Sequence, residues 1–254
     1  MEPRRGSLAH RAPGCRRAAL YRIRRYFLPP LASVVIVLDF SCTKAQLFRT
    51  ILSGILAVPF MKLILASASP RRAEILRDAG VSFSVMSSAI DETPYPNENP
   101  SALVERLANA KADLVAARAL GPAIVVAADT VVVLDGHVLG KPRSREEGGH
   151  MLEQLSGRTH SVLTGVSLIR LPDAVRRQFV ESTLVQFAAI SKEEIARYLT
   201  TEESHDKAGA YGIQGRAGRY IPRIEGCYFN VVGLPLSRLL ASLEELGWSE
   251  QALS

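Results

Sequence analysis

Cysteine, aromatic residues and long apolar runs are all scarce in this chain. Its 254 residues include 3 cysteines, whose spacing gives neither a disulfide framework nor a metal-thiolate cluster. The apolar run at 27–40 is interrupted by two prolines and by Asp39, so it is too short and too broken to predict a membrane span. These features predict a protein of the reducing cytoplasm with no stable membrane association.

Several well-known catalytic signatures are missing as well. The chain contains no Gly-x-Ser-x-Gly, no His-Glu-x-x-His and no Cys-x-x-Cys, and its 5 histidines show no metal-ligand spacing. The sequence therefore argues against a serine-hydrolase elbow, a zinc-peptidase helix and a thiol-based metal or redox site.

The excess of positive charge belongs to the first 60 residues. Ten of the 31 Lys and Arg residues lie there, against two of the 25 acidic residues, which leaves 21 basic and 23 acidic residues in the remainder. The net charge of +6 therefore does not predict a nucleic-acid partner for residues 61–254.

The composition predicts two parts, a basic and partly apolar N-terminal extension at 1–60 that is not part of the fold, and one domain at 61–254. The extension has three interpretations: a membrane-surface anchor, a targeting segment, or an upstream extension of the true reading frame. We favour the last, because Met61 directly precedes the first strand of a self-contained domain.

From Met61 onward, strand and helix patterns alternate, as in an α/β or mixed α+β domain. Strands are predicted at 62–67, 83–86, 123–134, 137–139, 159–170 and 175–188. Helices are predicted at 70–79, 100–120 and 236–246, and after capping boxes that begin at Ser144 and Ser191. Asp135-Gly136 between two apolar runs predicts a β-hairpin.

The start of the helix at 70–79 has the features of a phosphate-binding turn. Ser69 is placed as N-cap and Pro70 as first helical residue, and Arg71 and Arg72 follow them. The N–H groups of that turn and the positive end of the helix dipole would lie beside two permanent cations, where an anion binds well. A surface turn with solvated arginines fits the pair equally well.

Asp129 is the most informative acid, because it interrupts the apolar strand at 123–134. A charge there is costly without a role or a partner. With Thr130 beside it, its carboxylate could hold a divalent metal or orient a water for attack on phosphorus. Glu92, in a Pro-bounded loop, could supply a second oxygen ligand. The alternatives are a carboxylate that satisfies loop N–H groups and a solvated loop pair, Asp91-Glu92.

Lysines and a glycine-rich segment complete the set. Lys141 lies in a rigid Gly-Lys-Pro turn that is not a P-loop, since Pro142 stands where that motif has Ser or Thr. On its helix alone, Lys111 is expected to be exposed. The segment at 207–215 is dense in glycine, as backbone near a ligand requires, and Gln214 offers a donor and an acceptor to a base edge. A tight structural loop is the alternative.

Together, a basic helix N-terminus, isolated acids and lysines, and a glycine-rich loop suit metal-assisted hydrolysis of a phosphoanhydride. The same residues, in the same order, resemble the Maf family of nucleoside triphosphate pyrophosphatases, once called septum-formation proteins. The resemblance covers residue 62 to the end and is carried by Ser67-Ala-Ser-Pro-Arg-Arg72, Asp91-Glu92, Ala128-Asp-Thr-Val131, Gly140-Lys-Pro142, Leu155-Ser-Gly157 with His160, Thr164-Gly-Val166, Asp206-Lys-Ala-Gly-Ala-Tyr-Gly-Ile-Gln-Gly215 and Asn230-Val-Val-Gly-Leu-Pro235.

The resemblance implies a mixed α/β fold with a central mixed sheet, similar to the inosine triphosphate pyrophosphatases, with a cleft between two lobes. It implies hydrolysis of a nucleoside triphosphate to the monophosphate and pyrophosphate, dependent on a divalent cation, Mg²⁺ or Mn²⁺. The motifs resemble the branch that acts on dTTP and UTP rather than the branch that acts on 7-methyl-GTP. A homodimer is expected on family grounds only, and a non-catalytic nucleotide-binding regulator of cell division is the rival function.

The resemblance also implies roles for single residues. Asp129 matches the family's proton acceptor and, with Glu92, is placed at the metal. Arg71, Thr130 and Gln214 match positions associated with substrate choice. The other positions that match phosphate- or metal-facing sites are Ser69, Arg72, Lys111, Lys141 and Lys207.

Overall fold

The computed structural model describes residues 61–204 and 206–249, together with two short strands, β1 (Arg25–Tyr26) and β2 (Val35–Ile36). The chain divides into two compact units, Met1–Val58 and Pro59–Ser254. In the first unit β1 pairs with β2 antiparallel. The rest of the predicted N-terminal extension, including most of its apolar run, lies outside the described residues.

The second unit alternates strands and helices. Its strands are β3 (Lys62–Leu65), β4 (Ser84–Val85), β5 (Ala123–Leu134), β6 (His137–Leu139), β7 (Thr159–Leu171), β8 (Val175–Gln186) and β9 (Arg223–Glu225). Its helices are α1 (Pro70–Asp78), α2 (Pro100–Ala116), α3 (Arg145–Leu155), α4 (Lys192–Tyr198), α5 (Tyr228–Val232) and α6 (Leu236–Glu245). Within the described part of the chain, none of the helices is both long and apolar enough to cross a bilayer.

One sheet runs through this unit in the order β4-β3-β5-β7-β8-β9, and β6 pairs with β5. β3 lies parallel to both β4 and β5, whereas the remaining pairs are antiparallel. The sheet is therefore mixed, which confirms the predicted α/β architecture.

Both faces of β5 are covered, which explains why its sequence is apolar on either side of Asp129-Thr130. Ile124 and Val126 pack on one face with residues of α1 and α6, whereas Val125 and Ala127 pack on the other face with residues of α2. A second cluster joins α3 and α4 to the end of β8 and to the glycine-rich segment.

A close approach at Gly165 sets the position of α2 over the sheet. A Cβ atom added to Gly165 of β7 would lie 2.3 Å from the Val104 carbonyl oxygen of α2. Only glycine allows this contact. It brings α2 close to the strand that pairs with β5, with Gly165 opposite Asp129 in the register.

The turn and cap predictions have mixed outcomes. The hairpin is confirmed, with Asp135 and Gly136 at φ 51° and 80°. The capping box at Ser191 is complete, but the one at Ser144 is only half formed, because the Glu147 carboxylate accepts from the Arg143 N–H instead. α2 ends four residues earlier than predicted, at Ala116. The chain then turns towards Gly121, whose φ of 77° continues no helix.

Candidate active site

The predicted site residues converge on one cavity. Its volume is about 1010 Å³, and its lining contains all ten of them: Ser69, Arg71, Arg72, Glu92, Lys111, Asp129, Thr130, Lys141, Lys207 and Gln214. They come from the start of α1, the loop before α2, the middle of α2, β5, the turn before α3 and the glycine-rich segment. Six separate stretches of chain therefore bring charged groups to the same space.

In the lining of the cavity, Lys111 joins two carboxylates; this trio is called the acid end below. The Lys111 Nζ lies 2.6 Å from Glu92 Oε1 and 2.6 Å from Asp129 Oδ1. Lys111 is 6% exposed and Asp129 8%, whereas the Glu92 side chain is half exposed. The expectation that Lys111 is an exposed helix lysine is wrong, because α2 presents it to the sheet.

The trio fixes the charge state of its outer carboxylate. Burial works to raise the pKa of Glu92, but the hydrogen bond and the positive charge of Lys111 outweigh it. Lys141 and Arg72 add to the effect through their charges. The pKa of Glu92 therefore lies below its usual value, and the group is ionised at neutral pH.

Arg72 links three segments of the chain through hydrogen bonds. Its Nε donates to the Gly233 carbonyl at 2.8 Å, and its terminal nitrogens donate to Thr130 Oγ1 at 3.0 Å and to Ser67 Oγ at 3.2 Å. Burial lowers the pKa of Arg72, and the charge of Asp129 opposes that effect. An arginine remains protonated under such conditions. Arg72 thus ties the start of α1 to β5 and to the segment before α6.

Ser69 and Thr130 both line the cavity, as predicted, but their side chains differ in their hydrogen bonds. Ser69 is the N-cap residue of α1, yet its side chain makes no capping bond, and its N–H donates to Ser67 Oγ at 3.2 Å. Thr130 Oγ1 lies 3.0 Å from Thr164 Oγ1, besides its bond from Arg72. Thr130 therefore belongs to a network inside the cavity wall.

A second trio in the cavity lining, called the basic end below, consists of two cations that share one carboxylate. Asp206 accepts from Arg71 at 2.9 Å and from Lys207 at 2.6 Å. The Asp206 side chain is 61% exposed. Burial works to raise the pKa of Asp206, but hydrogen bonds from Lys207 and Arg71 hold it below its usual value. The two neighbouring arginines therefore differ in role: Arg72 links three segments of the protein by hydrogen bonds, whereas Arg71 faces the open cavity.

Lys141 and Gln214 are exposed side chains on the cavity lining. The Gly140 carbonyl accepts from the Gly209 N–H at 3.0 Å, which joins the turn of Lys141 to the glycine-rich segment. Gly209 has a φ of 69°, and a Cβ there would meet Val132 at 3.2 Å. The glycine composition therefore lets this segment pack directly on β5, with Gln214 further along it.

A buried histidine supports the same segment. His160 is 2% exposed, and its Nε2 lies 2.7 Å from the hydroxyl of Tyr211, a residue that lines the cavity. Burial lowers the pKa of His160 to about 4. Phe187 packs edge-on against both rings. This neutral histidine therefore holds the cavity wall from behind.

Sequence reasoning missed the separate importance of Asp206 and the burial of Lys111. Asp206 directly precedes Lys207, and this adjacency is the one signal that marked it. Lys111 follows Leu107 by one helical turn and precedes Val115 by another, so it lies on the buried stripe of α2. That spacing could have shown that its ammonium needs an anionic partner.

The donor set of the acid end fits a divalent cation only in part. Among the described residues, no group of three or more His, Cys, Asp or Glu side chains could hold a metal ion. Mg²⁺ bound to a nucleotide usually takes one or two carboxylates and completes its shell with phosphate oxygens and water. Glu92 and Asp129 match that arrangement and no closed protein cage.

Comparison with known protein sequences finds relatives that are about half identical to this chain. It is 52% identical over 187 residues to the dTTP/UTP pyrophosphatase of Symbiobacterium thermophilum, a match that covers 74% of this chain and 95% of that protein. It is 48% identical over 188 residues to the dTTP/UTP pyrophosphatase of Carboxydothermus hydrogenoformans, which covers 74% of this chain and 100% of the relative.

Among solved structures, the chain is similar to the structure of the Staphylococcus aureus Ham1 protein. The TM-score is 0.43 and the sequence identity is 16%, and the match covers 73% of this chain and 99% of the Ham1 chain. The family described as Maf-like protein matches residues 62–246. That stretch holds all ten cavity residues predicted from the sequence, and with the sequence relatives it shows that the chain belongs to the Maf family.

Proposed function

We propose that this chain hydrolyses nucleoside triphosphates, with dTTP and UTP preferred, to the nucleoside monophosphate and pyrophosphate. The observation that carries the proposal is the convergence of Asp129 and Glu92 with several cations in one cavity. The names of the relatives at about half identity support the same reaction.

The basic end is proposed to hold the phosphates. Arg71 and Lys207 lie together on Asp206, and Lys141 lines the same cavity. The N–H groups at the start of α1 add the positive end of a helix dipole. Arg72 positions Thr130 and the start of α1 and is itself engaged by the protein.

The acid end is proposed to direct the water. Asp129, held by Lys111, orients a water molecule towards the α-phosphorus and accepts its proton. A new bond forms between the water oxygen and the α-phosphorus, and the bond from that phosphorus to the bridging oxygen breaks. The electron pair of the broken bond leaves with pyrophosphate.

Glu92 and Asp129 are the residues that would hold Mg²⁺ or Mn²⁺, together with phosphate oxygens. When bound, such a cation supplies charge withdrawal from the phosphoanhydride. Glu92 is ionised at neutral pH, and it is the more exposed of the two acids, so it can meet a cation that arrives from solvent.

Base preference is proposed to depend on Gln214 and Arg71. Gln214 is exposed at the cavity and offers both a donor and an acceptor, as the imide edge of thymine or uracil requires. Thr130 contributes indirectly, because its hydroxyl is already bonded to Arg72 and Thr164. A cytoplasmic location, the absence of a nucleic-acid partner and a homodimer stay predictions.

Phosphorus NMR of products from purified protein tests the proposal. With Mg²⁺ or Mn²⁺, dTTP and UTP should give pyrophosphate and the monophosphate, and 7-methyl-GTP should react more slowly. Orthophosphate with a nucleoside diphosphate would contradict the reaction. Binding of dTTP without any turnover would favour the rival function, a nucleotide-sensing regulator, and preference for 7-methyl-GTP would assign the other branch.

A further inference from the structure

One ammonium group serves both carboxylates of the acid end. The Lys111 Nζ lies 2.6 Å from an oxygen of Glu92 and 2.6 Å from an oxygen of Asp129. A buried lysine requires such partners, because an unpaired charge away from water is costly. The ammonium therefore occupies a position between the two groups that would hold a divalent cation.

The charges of this trio determine what else can bind there. Two carboxylates and one ammonium leave a single net negative charge. A free divalent cation that approaches both carboxylates also approaches the ammonium, and like charges at such distances repel strongly in a partly buried site. A triphosphate that arrives with the metal brings several negative charges of its own, which offset this repulsion.

We propose that Lys111 is a resident counter-ion of Glu92 and Asp129, so that the divalent cation enters with the triphosphate rather than ahead of it. The second half of this inference rests on the proposed function, whereas the first half concerns metal and protein alone. Lys111 is then a positioning residue for the two acids. Two of its three donors are already used by carboxylates, which leaves one for a phosphate.

Manganese binding without nucleotide tests the first half. Lys111→Met keeps the unbranched side chain up to the ε position and removes the charged ammonium group. We expect the variant to bind free Mn²⁺ at least about tenfold more tightly than the unmodified protein, as measured by electron paramagnetic resonance titration, since the carboxylates lose their competitor. Equal affinities would overturn the proposal.

Arg176→Met is the matched control. Arg176 of β8 pairs with Asp113 of the same helix, α2, but neither residue lines the cavity. This variant should bind free Mn²⁺ as the unmodified protein does. An equal gain in both variants would show a general electrostatic effect and would overturn the specific role of Lys111.

A second measurement keeps the test decisive if Lys111→Met does not fold. In the unmodified protein, we expect Mn²⁺ alone to leave the thermal midpoint nearly unchanged, and Mn²⁺ with a non-hydrolysable dTTP analogue to raise it. A rise with Mn²⁺ alone as large as the rise with both would overturn the proposal. Because no turnover is measured, an inactive protein that still shows the expected Mn²⁺ results would reject only the proposed function.

Discussion

The acid end and the basic end, two trios in the lining of one cavity, have the same arrangement with opposite signs and differ in burial. At the acid end one cation, Lys111, joins two carboxylates, and at the basic end one carboxylate, Asp206, joins two cations. The Lys111 side chain is 8% exposed, whereas that of Asp206 is 61% exposed. Removing one partner from a buried pair is costly, but an exposed pair contributes little. We therefore expect the acid end to be the fixed part of the site, and the basic end to be able to exchange its anion for phosphate.

The largest effect is expected at the acid end, on turnover. Asp129→Asn removes the proton acceptor and should lower kcat by about 100-fold or more, the usual contribution of a general base. Pyrophosphate release from dTTP measures the loss, and circular dichroism checks that the fold is retained. Full activity in a folded variant would remove Asp129 from the mechanism.

The difference in burial between the two trios predicts different costs for removing the lysine from each. Lys111→Met should lower the free energy of unfolding by about 3–5 kcal/mol, because it leaves two carboxylates in a largely buried site without their cation. Lys207→Met should cost less, about 1–2 kcal/mol, because it leaves the exposed Asp206 and one partly buried carbonyl, that of Glu203. Denaturant unfolding measures both. Similar losses in the two variants would contradict the distinction between the ends.

The buried His160 behind the cavity wall should make the free energy of unfolding depend on pH. The pKa of His160 is about 4 in the folded protein, below its ordinary value of 6.5, because of burial. As the pH falls from 6.5 towards 4, the unfolded chain takes up a proton at this residue and the folded chain does not. Stability should therefore decrease by roughly 3 kcal/mol over that range through this group.

His160→Gln tests that effect, because glutamine can still hydrogen-bond to Tyr211 and does not titrate. The free energy of unfolding of this variant should depend less on pH between 6.5 and 4 than that of the unmodified protein. Identical pH profiles would show that His160 does not titrate as its burial requires.

The smallest effect is expected at the basic end. Asp206→Asn removes an anion that competes with phosphate for Arg71 and Lys207, so affinity for inorganic tripolyphosphate should rise by about fivefold, the size of an exposed ion pair of about 1 kcal/mol. Calorimetric titration measures the change. Asp173→Asn, which breaks the exposed pair with Arg170 at 2.6 Å, serves as the control and should bind as before. Unchanged or weaker binding by Asp206→Asn would mean that Asp206 assists phosphate binding instead.

The sequence predicted the strands of the sheet more accurately than it predicted the partners of the charged side chains. β5 has the predicted bounds, because eleven apolar or β-branched residues, interrupted only by Asp129, next to a left-handed Asp-Gly turn leave few other structures. The ten site residues were identified from local motifs together with the family resemblance, and the cavity brings them together. Local patterns sufficed wherever neighbours in the chain decide the structure.

Partners distant in the chain were beyond that reasoning. Arg71 and Arg72 are adjacent and chemically identical, yet one pairs with Asp206 across 135 positions and the other binds Gly233 across 161. Lys111 owes its partners to the close packing of α2 on the sheet at Gly165. Such pairings depend on how elements pack, which no local spacing reveals.

The phosphorus atom that water attacks shows whether the acid end directs hydrolysis at the α-phosphorus. The purified protein should hydrolyse dTTP in water enriched in heavy oxygen, and mass spectrometry should locate the label. The account predicts the label in the nucleoside monophosphate and unlabelled pyrophosphate, with the product lost in Asp129→Asn. Label in the pyrophosphate would place the attack at another phosphorus and contradict the account.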